Sequence, residues 1–543
     1  MHVGILIHRT SLYEGDNMGD GIDLDDATDS LHQYDDPSPT ARPKRKFLSP
    51  QHELINICIS HFCPSMRYAL LLSTDAEQMA ITRKTESLWR CGQPILKLLR
   101  RQSEAILGQS SEHKLVIKRC NDMIEIAHDK FYAFPFKEVP VCWVELYREA
   151  SLLKFAALAM AGVWSFGDQA FENAPPLTES QMDNMVHTMD MALIMTGPPP
   201  ANDIRESVKA VMDLFQKCYI DFLKDDGHQS GRPPVKRQKV YIDQGYSQAQ
   251  FPSLSIADPV IKPMNEVGRV IDLAFEVFEK HMLSPLDHDI GPEPIIIAGA
   301  LEEWPARHHR AWSDPEYLMA KTIGGRRLVP IETGKSYVDA GFGQKIVTFK
   351  AFMEQYVLKP QHSLDPGYLA QYDLFAQIPS LREDIMIPDY CFATAPQPHP
   401  TSPLAAAHAK VPHLEEPLLN AWFGPAGTTT PLHTDPYHNI LAQVVGKKYI
   451  RLYAPGQSKN LYARGMEDGI DMSNTSEVDV GVLAGLDGTT AEAQEADKNF
   501  PLFKDAEYVE CILQEGECLY IPVGWWHYVR SLGVSFSVSF WFN

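Results

Sequence analysis

The stretch TTTPLHTDPYHNILAQVVGKKYIRLYAP, residues 428–455, decides the fold. It opens on His433 and Asp435, two residues apart, and runs into an apolar segment broken at Gly446. On a strand, side chains two apart project to one face, so the imidazole and the carboxylate are expected side by side. Lys448 shares parity with Ile440, Ala442, Val444, Ile450 and Leu452, which predicts an inward-facing lysine if the count survives the turn at Gly446. A lysine among apolar neighbours requires an anionic partner. The alternative is a lysine that points to solvent from that turn. Asn439, on the same mainly apolar run, reads either as a ligand contact or as a structural amide.

Downstream, YIPVGWWHYVRS (520–531) supplies His527 in a strongly β and aromatic setting. Two imidazoles and one carboxylate cover one face of an octahedral metal and leave the other open for a bidentate co-substrate and oxygen, the arrangement of non-haem Fe(II) oxygenases. An HxD pair alone is weak, since most such pairs are surface-loop residues. Here it gains weight from the apolar strand that follows and from the second histidine in a Pro–aromatic hairpin.

Working outward, EPIIIAGALEEW (293–304), RRLVPIET (326–333), KIVTFKAF (345–352), LLNAWFGP (418–425), YVECILQEGECLYIPV (508–523) and GVSFSVSFWFN (533–543) are short β-rich runs between Gly and Pro turns. Such spacing argues for a sandwich or barrel. HPTSPLAAAHAKVP (399–412) and LAGLDGTTAEAQEADKN (483–499) carry no strand pattern and read as surface loops.

Residues 50–225 carry a helical pattern instead. From Trp143 to Trp164, Leu146, Ala150, Leu153, Ala157 and Met160 form one apolar stripe, and Glu145, Arg148, Glu149 and Lys154 make a core helix the better reading than a membrane one. Residues 1–49 read as a disordered acidic tail ending in Arg42, Lys44, Arg45 and Lys46. Residues 226–262 read as a linker with a second basic cluster, Lys236, Arg237 and Lys239. The two clusters suggest nuclear import, against a plain reading as solvated linker charge. The expected order is tail, helical domain (50–225), linker, and a β-rich domain over 263–543.

With 49 Lys and Arg against 70 Asp and Glu, the net charge is −21. That argues against a general phosphate-backbone binder and favours basic protein or peptide partners. Nine cysteines without a CxxC pair suggest neither a structural zinc nor a redox motif, and point to a reducing compartment. The start has no basic n-region, and no apolar run approaches the ~18 residues that span a bilayer. A soluble intracellular protein is expected, with no membrane association.

NAWFGPAGTTTPLHTDPYHNILAQVVGKKYIRLYAP (420–455), GYLAQYDLFAQIPSLREDIMIPDYC (367–391), NTSEVDV (474–480) and YIPVGWWHYVRSLGVSFSVSFWFN (520–543) together resemble the JmjC-domain oxygenases, in particular the lysine demethylase 8 and arginyl-hydroxylase branch. The resemblance covers most of the C-terminal half. It implies an α+β chain: a double-stranded β-helix of the cupin or jelly-roll type with flanking helices, after an all-α N-terminal domain. It implies Fe(II), 2-oxoglutarate as co-substrate and O2, with His433, Asp435 and His527 as metal ligands. Lys448 matches the lysine that holds the distal carboxylate of 2-oxoglutarate. Tyr337 in ETGKSY, Thr430 and Asn439 match further co-substrate contacts, and Trp422 in NAWFGP matches a pocket-lining residue. The implied activity is hydroxylation of an arginyl side chain of a protein, with release of succinate and CO2. Histone N-methyl-lysine demethylation and a non-catalytic chromatin module are the alternatives. No direct nucleic-acid binding is expected, and the location is nuclear, with the cytoplasm second.

Overall fold

Apolar residues at three- and four-residue spacing fold the first half into helices: α1 (Pro50–His61), α2 (Ser65–Leu71), α3 (Gln93–Leu107), α4 (His113–Tyr132), α5 (Val141–Met160), α6 (Glu179–Thr196) and α7 (Asn202–Gln229). The structure, a computed structural model, describes residues 49–72, 87–108, 113–135, 138–161, 177–229, 251, 261–334, 341–358, 366–467 and 469–543. The basic cluster at 42–46, Lys236, Arg237 and Lys239 of the linker, and Tyr337 lie outside the described residues.

The helical core centres on α5. Its stripe of Leu146, Ala150, Leu153, Ala157 and Met160 is buried, and so are Leu152, Phe155, Ala156 and Ala159 around the cylinder. α5 packs between α4 and α6. Two of its ionisable groups have clear partners: Glu149 accepts from Arg67 and, at 2.6 Å, from the Tyr68 hydroxyl, and Arg148 donates to the Thr196 carbonyl at 3.0 Å. Among the described residues, no helix is long and apolar enough to cross a membrane.

The second half is built on two sheets. The larger contains β1 (Gly268–Ile271), β2 (Ile295–Ala298), β3 (Leu328–Thr333), β4 (Gly343–Thr348), β5 (Gly367–Tyr372), β6 (Leu418–Gly424), β8 (His438–Val445), β13 (Glu517–Ile521) and β15 (Ser535–Phe542). They lie in the order β1-β2-β13-β8-β15-β6-β5-β3-β4, antiparallel except for the β1–β2 pair. The smaller sheet is β12-β9-β14-β7, from β7 (Thr429–His433), β9 (Lys448–Tyr453), β12 (Val509–Leu513) and β14 (Trp526–Ser531). A ribbon of β10 (Met466–Glu467) and β11 (Ile470–Asp471) stands apart from both. Leu441, Ile450, Leu452, Leu513, Leu519 and Ile521 form the core between the sheets. The outer face of the large sheet packs under helices such as α8 (Phe275–Leu283), and that of the small sheet under Leu461, Val478 and Phe503. This is the jelly-roll that the resemblance implied, and it agrees with the sandwich-or-barrel reading of the strand pattern.

One count needs correction. Ile440, Ala442 and Val444 belong to the outer core of the large sheet, not to the inside with Lys448. Gly446, at φ +74°, carries the chain from one sheet to the other and shifts the parity by one. On β8 the inward positions are Asn439 and Leu441; on β9 they are Lys448, Ile450 and Leu452. The lysine does face inward, but its partners in parity lie on β9 alone.

The two supposed loops also hold helix. Residues 490–499 form α9 (Thr490–Asn499), closed by a capping box between Thr489 and Glu492, and Ala405–His408 make a single turn. Both lie on the surface side of the strands, and α9 buries none of its residues. Asp487, just before α9, pairs with Arg530 of β14.

Candidate active site

β7 and β14 are neighbours in the small sheet, and their register sets His433 directly opposite His527. The two rings stand 4.2 Å apart between centroids. Each is fixed from behind: His433 Nδ1 bonds the Pro431 carbonyl at 2.8 Å, and His527 Nδ1 bonds the Trp525 carbonyl at 3.1 Å. A carbonyl only accepts, so each Nδ1 carries the proton and each Nε2 keeps a free lone pair. Both Nε2 atoms face Asp435, at 3.5 Å from its two carboxylate oxygens.

Asp435 lies two residues beyond the end of β7, so it is a turn and not a shared strand face that brings it to the histidines. The Thr434 amide donates to the Asn474 carbonyl at 2.8 Å, which ends the strand and bends the carboxylate back between the rings. Burial disfavours the Asp435 carboxylate, yet the two imidazoles overcome this and hold it well below the usual carboxylate range. Burial likewise opposes charge on His433, but Asp435 outweighs it and raises that imidazole; His527 is lowered by burial and by His433. The donor atoms of the three residues all lie within 4.8 Å of one another, close enough for a single ion.

Lys448 opens β9 on the inner face and is only 1% exposed. Its ammonium donates to the Tyr368 hydroxyl at 3.0 Å and lies 5.5 Å and 5.9 Å from the ring centroids of Tyr368 and Trp422. The Thr430 hydroxyl hydrogen-bonds the same phenol. Among the described residues no carboxylate pairs with Lys448, and burial pushes its pKa down to about 7. Nearby, Asn439 Oδ1 is buried without a hydrogen-bond partner. Trp422 is oriented by its Nε1 donation to Ser539 Oγ at 3.0 Å.

One cavity gathers these groups: Trp422, Thr430, His433, Asp435, Asn439, Lys448 and His527 line it together with Leu441, Ile521 and Val529. Every site residue expected from sequence therefore meets there except Tyr337, which is outside the described residues. The phenol beside Lys448 belongs to Tyr368, which sequence reasoning missed. Its only signal was the string GYLAQYDLF, recognised as a whole and not residue by residue.

A family model described as a cupin-like domain matches residues 287–543. Lysine-specific demethylase JMJ30 of Arabidopsis thaliana is 38% identical over 422 residues, spanning 77% of this chain and 84% of the relative. Lysine-specific demethylase 8 of Danio rerio is 33% identical over 426 residues, 78% of this chain and 87% of that protein. The chain belongs to the JmjC oxygenase family. A more distant JmjC relative, the human bifunctional peptidase and (3S)-lysyl hydroxylase JMJD7, is 26% identical over 263 residues, 46% of this chain and 77% of that protein. This JmjC protein is accordingly a dioxygenase that modifies proteins and uses Fe(II), 2-oxoglutarate and O2. The cavity suits those groups: two imidazole lone pairs and a carboxylate for the metal, and a buried ammonium with no carboxylate partner for an anionic small molecule.

Proposed function

We propose that this JmjC oxygenase hydroxylates an arginyl side chain of a protein substrate. His433, Asp435 and His527 hold the iron. Lys448, Tyr368 and Thr430 hold the distal carboxylate of 2-oxoglutarate, while Asn439 and Trp422 complete its pocket. When bound, iron with 2-oxoglutarate and oxygen supplies the oxidising chemistry that places an oxygen atom in a substrate C–H bond, with release of succinate and CO2. The chain's own part is positional. The carbonyls of Pro431 and Trp525 fix the Nδ1–H tautomer of each neutral imidazole and so aim Nε2 at the metal position, and Leu441, Ile521 and Val529 supply the apolar part of the lining.

The observation that carries the choice of arginine is Glu332. It lies directly across from Tyr368 in the β3–β5 register, so both side chains project to one face. With Gln344, Gln371 and Tyr372 it lines a second, small pocket along β5. Burial raises the Glu332 carboxyl to about 7, with the Gln344 amide opposing. A carboxylate and two amide oxygens suit the planar fork of a guanidinium, whereas a methylated ammonium is better served by an aromatic cage, and this cavity has one ring.

The test is incubation of the protein with Fe(II), 2-oxoglutarate and arginine- or methyl-lysine-containing peptides, read by mass spectrometry. Gain of one oxygen on arginine is the expected result. Loss of a methyl group from lysine would replace this reading with lysine demethylation, the activity in the names of the Arabidopsis thaliana and Danio rerio relatives. No succinate under any condition would sink the assignment of the site. A basic, histone-like substrate and a nuclear location fit the acidic net charge of −21 and the two basic clusters.

A further inference from the structure

The ion pair between Asp190 and Arg327 lies outside the chemistry above, yet it grips the strand that carries Glu332. Asp190, on α6 of the helical half, is fully buried, and Arg327 nearly so. The carboxylate accepts from Arg327 Nε at 2.9 Å and 3.0 Å, from Arg327 Nη2 at 2.6 Å, and from the Leu328 amide at 2.7 Å. Arg327 Nη2 also donates to the Gln377 carbonyl at 2.7 Å, and Gln377 Nε2 donates to the Leu328 carbonyl at 2.8 Å. Both backbone groups of Leu328, the first residue of β3, are thus held by side chains from outside the sheet. Glu332 follows on the same strand, and Pro330 and Ile331 line its cavity too. Tyr372, on β5, lines the same cavity.

A buried ion pair adds little net stability over an apolar contact of equal volume; what it adds is one fixed geometry. The neighbouring pairs at this boundary differ. Arg326 reaches Asp183 at 2.9 Å and Glu179 at 3.3 Å, both largely exposed on the same helix, and none of these contacts touches β3.

We propose that the helical half frames the substrate pocket: Asp190, through Arg327 and the Leu328 amide, sets the position of β3 and with it the Glu332 carboxylate. This rests on the reading of Glu332 given above. Asp190 and Arg327 are positioning residues, acting on the substrate only through the strand they hold.

The full-length chain is compared with Asp190→Asn, Arg327→Lys and the control Asp183→Asn, using an arginine-containing peptide as probe. Asp190→Asn is expected to raise the peptide KM about tenfold while succinate formation without peptide and the 2-oxoglutarate KM stay within about twofold. Amide hydrogen exchange is expected to quicken across 328–332. Arg327→Lys, which keeps the charge and loses the fork, gives a smaller change in the same direction, and Asp183→Asn gives none. If Asp190→Asn does not accumulate folded, Arg327→Lys decides alone. Unaltered peptide KM and unaltered β3 exchange overturn the inference, and so does equal damage to both KM values. A wild-type chain that makes succinate but leaves the arginine peptide untouched overturns the Glu332 reading instead.

Discussion

Lys448, buried, and Glu332, half-buried, are groups of opposite sign, each with a pKa of about 7, and they respond to pH in opposite directions. Burial lowers Lys448 to about 7, so above that pH the site without co-substrate holds a neutral amine. Binding of the dianion restores the proton. 2-Oxoglutarate affinity is therefore expected to fall as pH rises above about 7, with proton uptake seen by calorimetry in two buffers of different ionisation heat. Because the folded pKa lies below the unfolded 10.5, stability from this group is full above 10.5, is lost progressively as pH falls from there, and the loss is complete once pH has passed below about 7. Lys448→Met removes that loss and weakens co-substrate binding by about 2–4 kcal/mol, measured as the 2-oxoglutarate KM. Glu332 behaves in reverse: on the arginine proposal its ionised form would hold the guanidinium, so the peptide KM should fall as pH rises through about 7. Glu332→Gln should flatten that profile and raise the KM. Of these residues, His433, Asp435, His527 and Lys448 were legible because each sits in a locally unusual string. Tyr368 and Glu332 were not, because the Tyr368–Lys448 contact crosses 80 residues of chain and no periodicity reports it.

At the scale of elements, the β8–β9 hairpin decides most. Strand alternation was readable on both of its arms, but the phase across Gly446 was not, since a turn that changes sheets does not preserve parity. A Cβ at Gly446 would meet the Val534 carbonyl oxygen at 2.1 Å, in a backbone region already unfavourable for other residues. Gly446→Ala is expected to cost at least ~1–2 kcal/mol in thermal unfolding, and to weaken 2-oxoglutarate binding by displacing Lys448. α9 went unread for a different reason. Its Ala-, Gly- and charge-rich composition resembles a loop, and no buried face marks it; the Thr489–Glu492 spacing was the available signal.

For the whole molecule, the helical half and the β-rich half were each readable from their periods, 3.6 and 2, but their joint was not. Asp190 and Arg327 are ordinary charges in the sequence and become a buried pair only when the halves meet. Metal occupancy should add to the stability of the whole, by about 2.7 kcal/mol at a free metal concentration one hundred times Kd. Calorimetry of the chelated protein against protein with Fe(II) or Mn(II), under anaerobic conditions, checks this; His433→Ala should remove the difference.

The cavity draws its walls from both sheets: Trp422, Asn439 and Ile521 from the large one, Thr430, Lys448 and His527 from the small one. On the proposed placement, a dianion between Asn439 and Lys448 would act as a rivet through the sandwich, tying one sheet to the other while it is bound. Slow amides of β8 and β9 should gain protection together and to the same extent on adding 2-oxoglutarate, so that the small molecule sets the opening rate of the fold that encloses it.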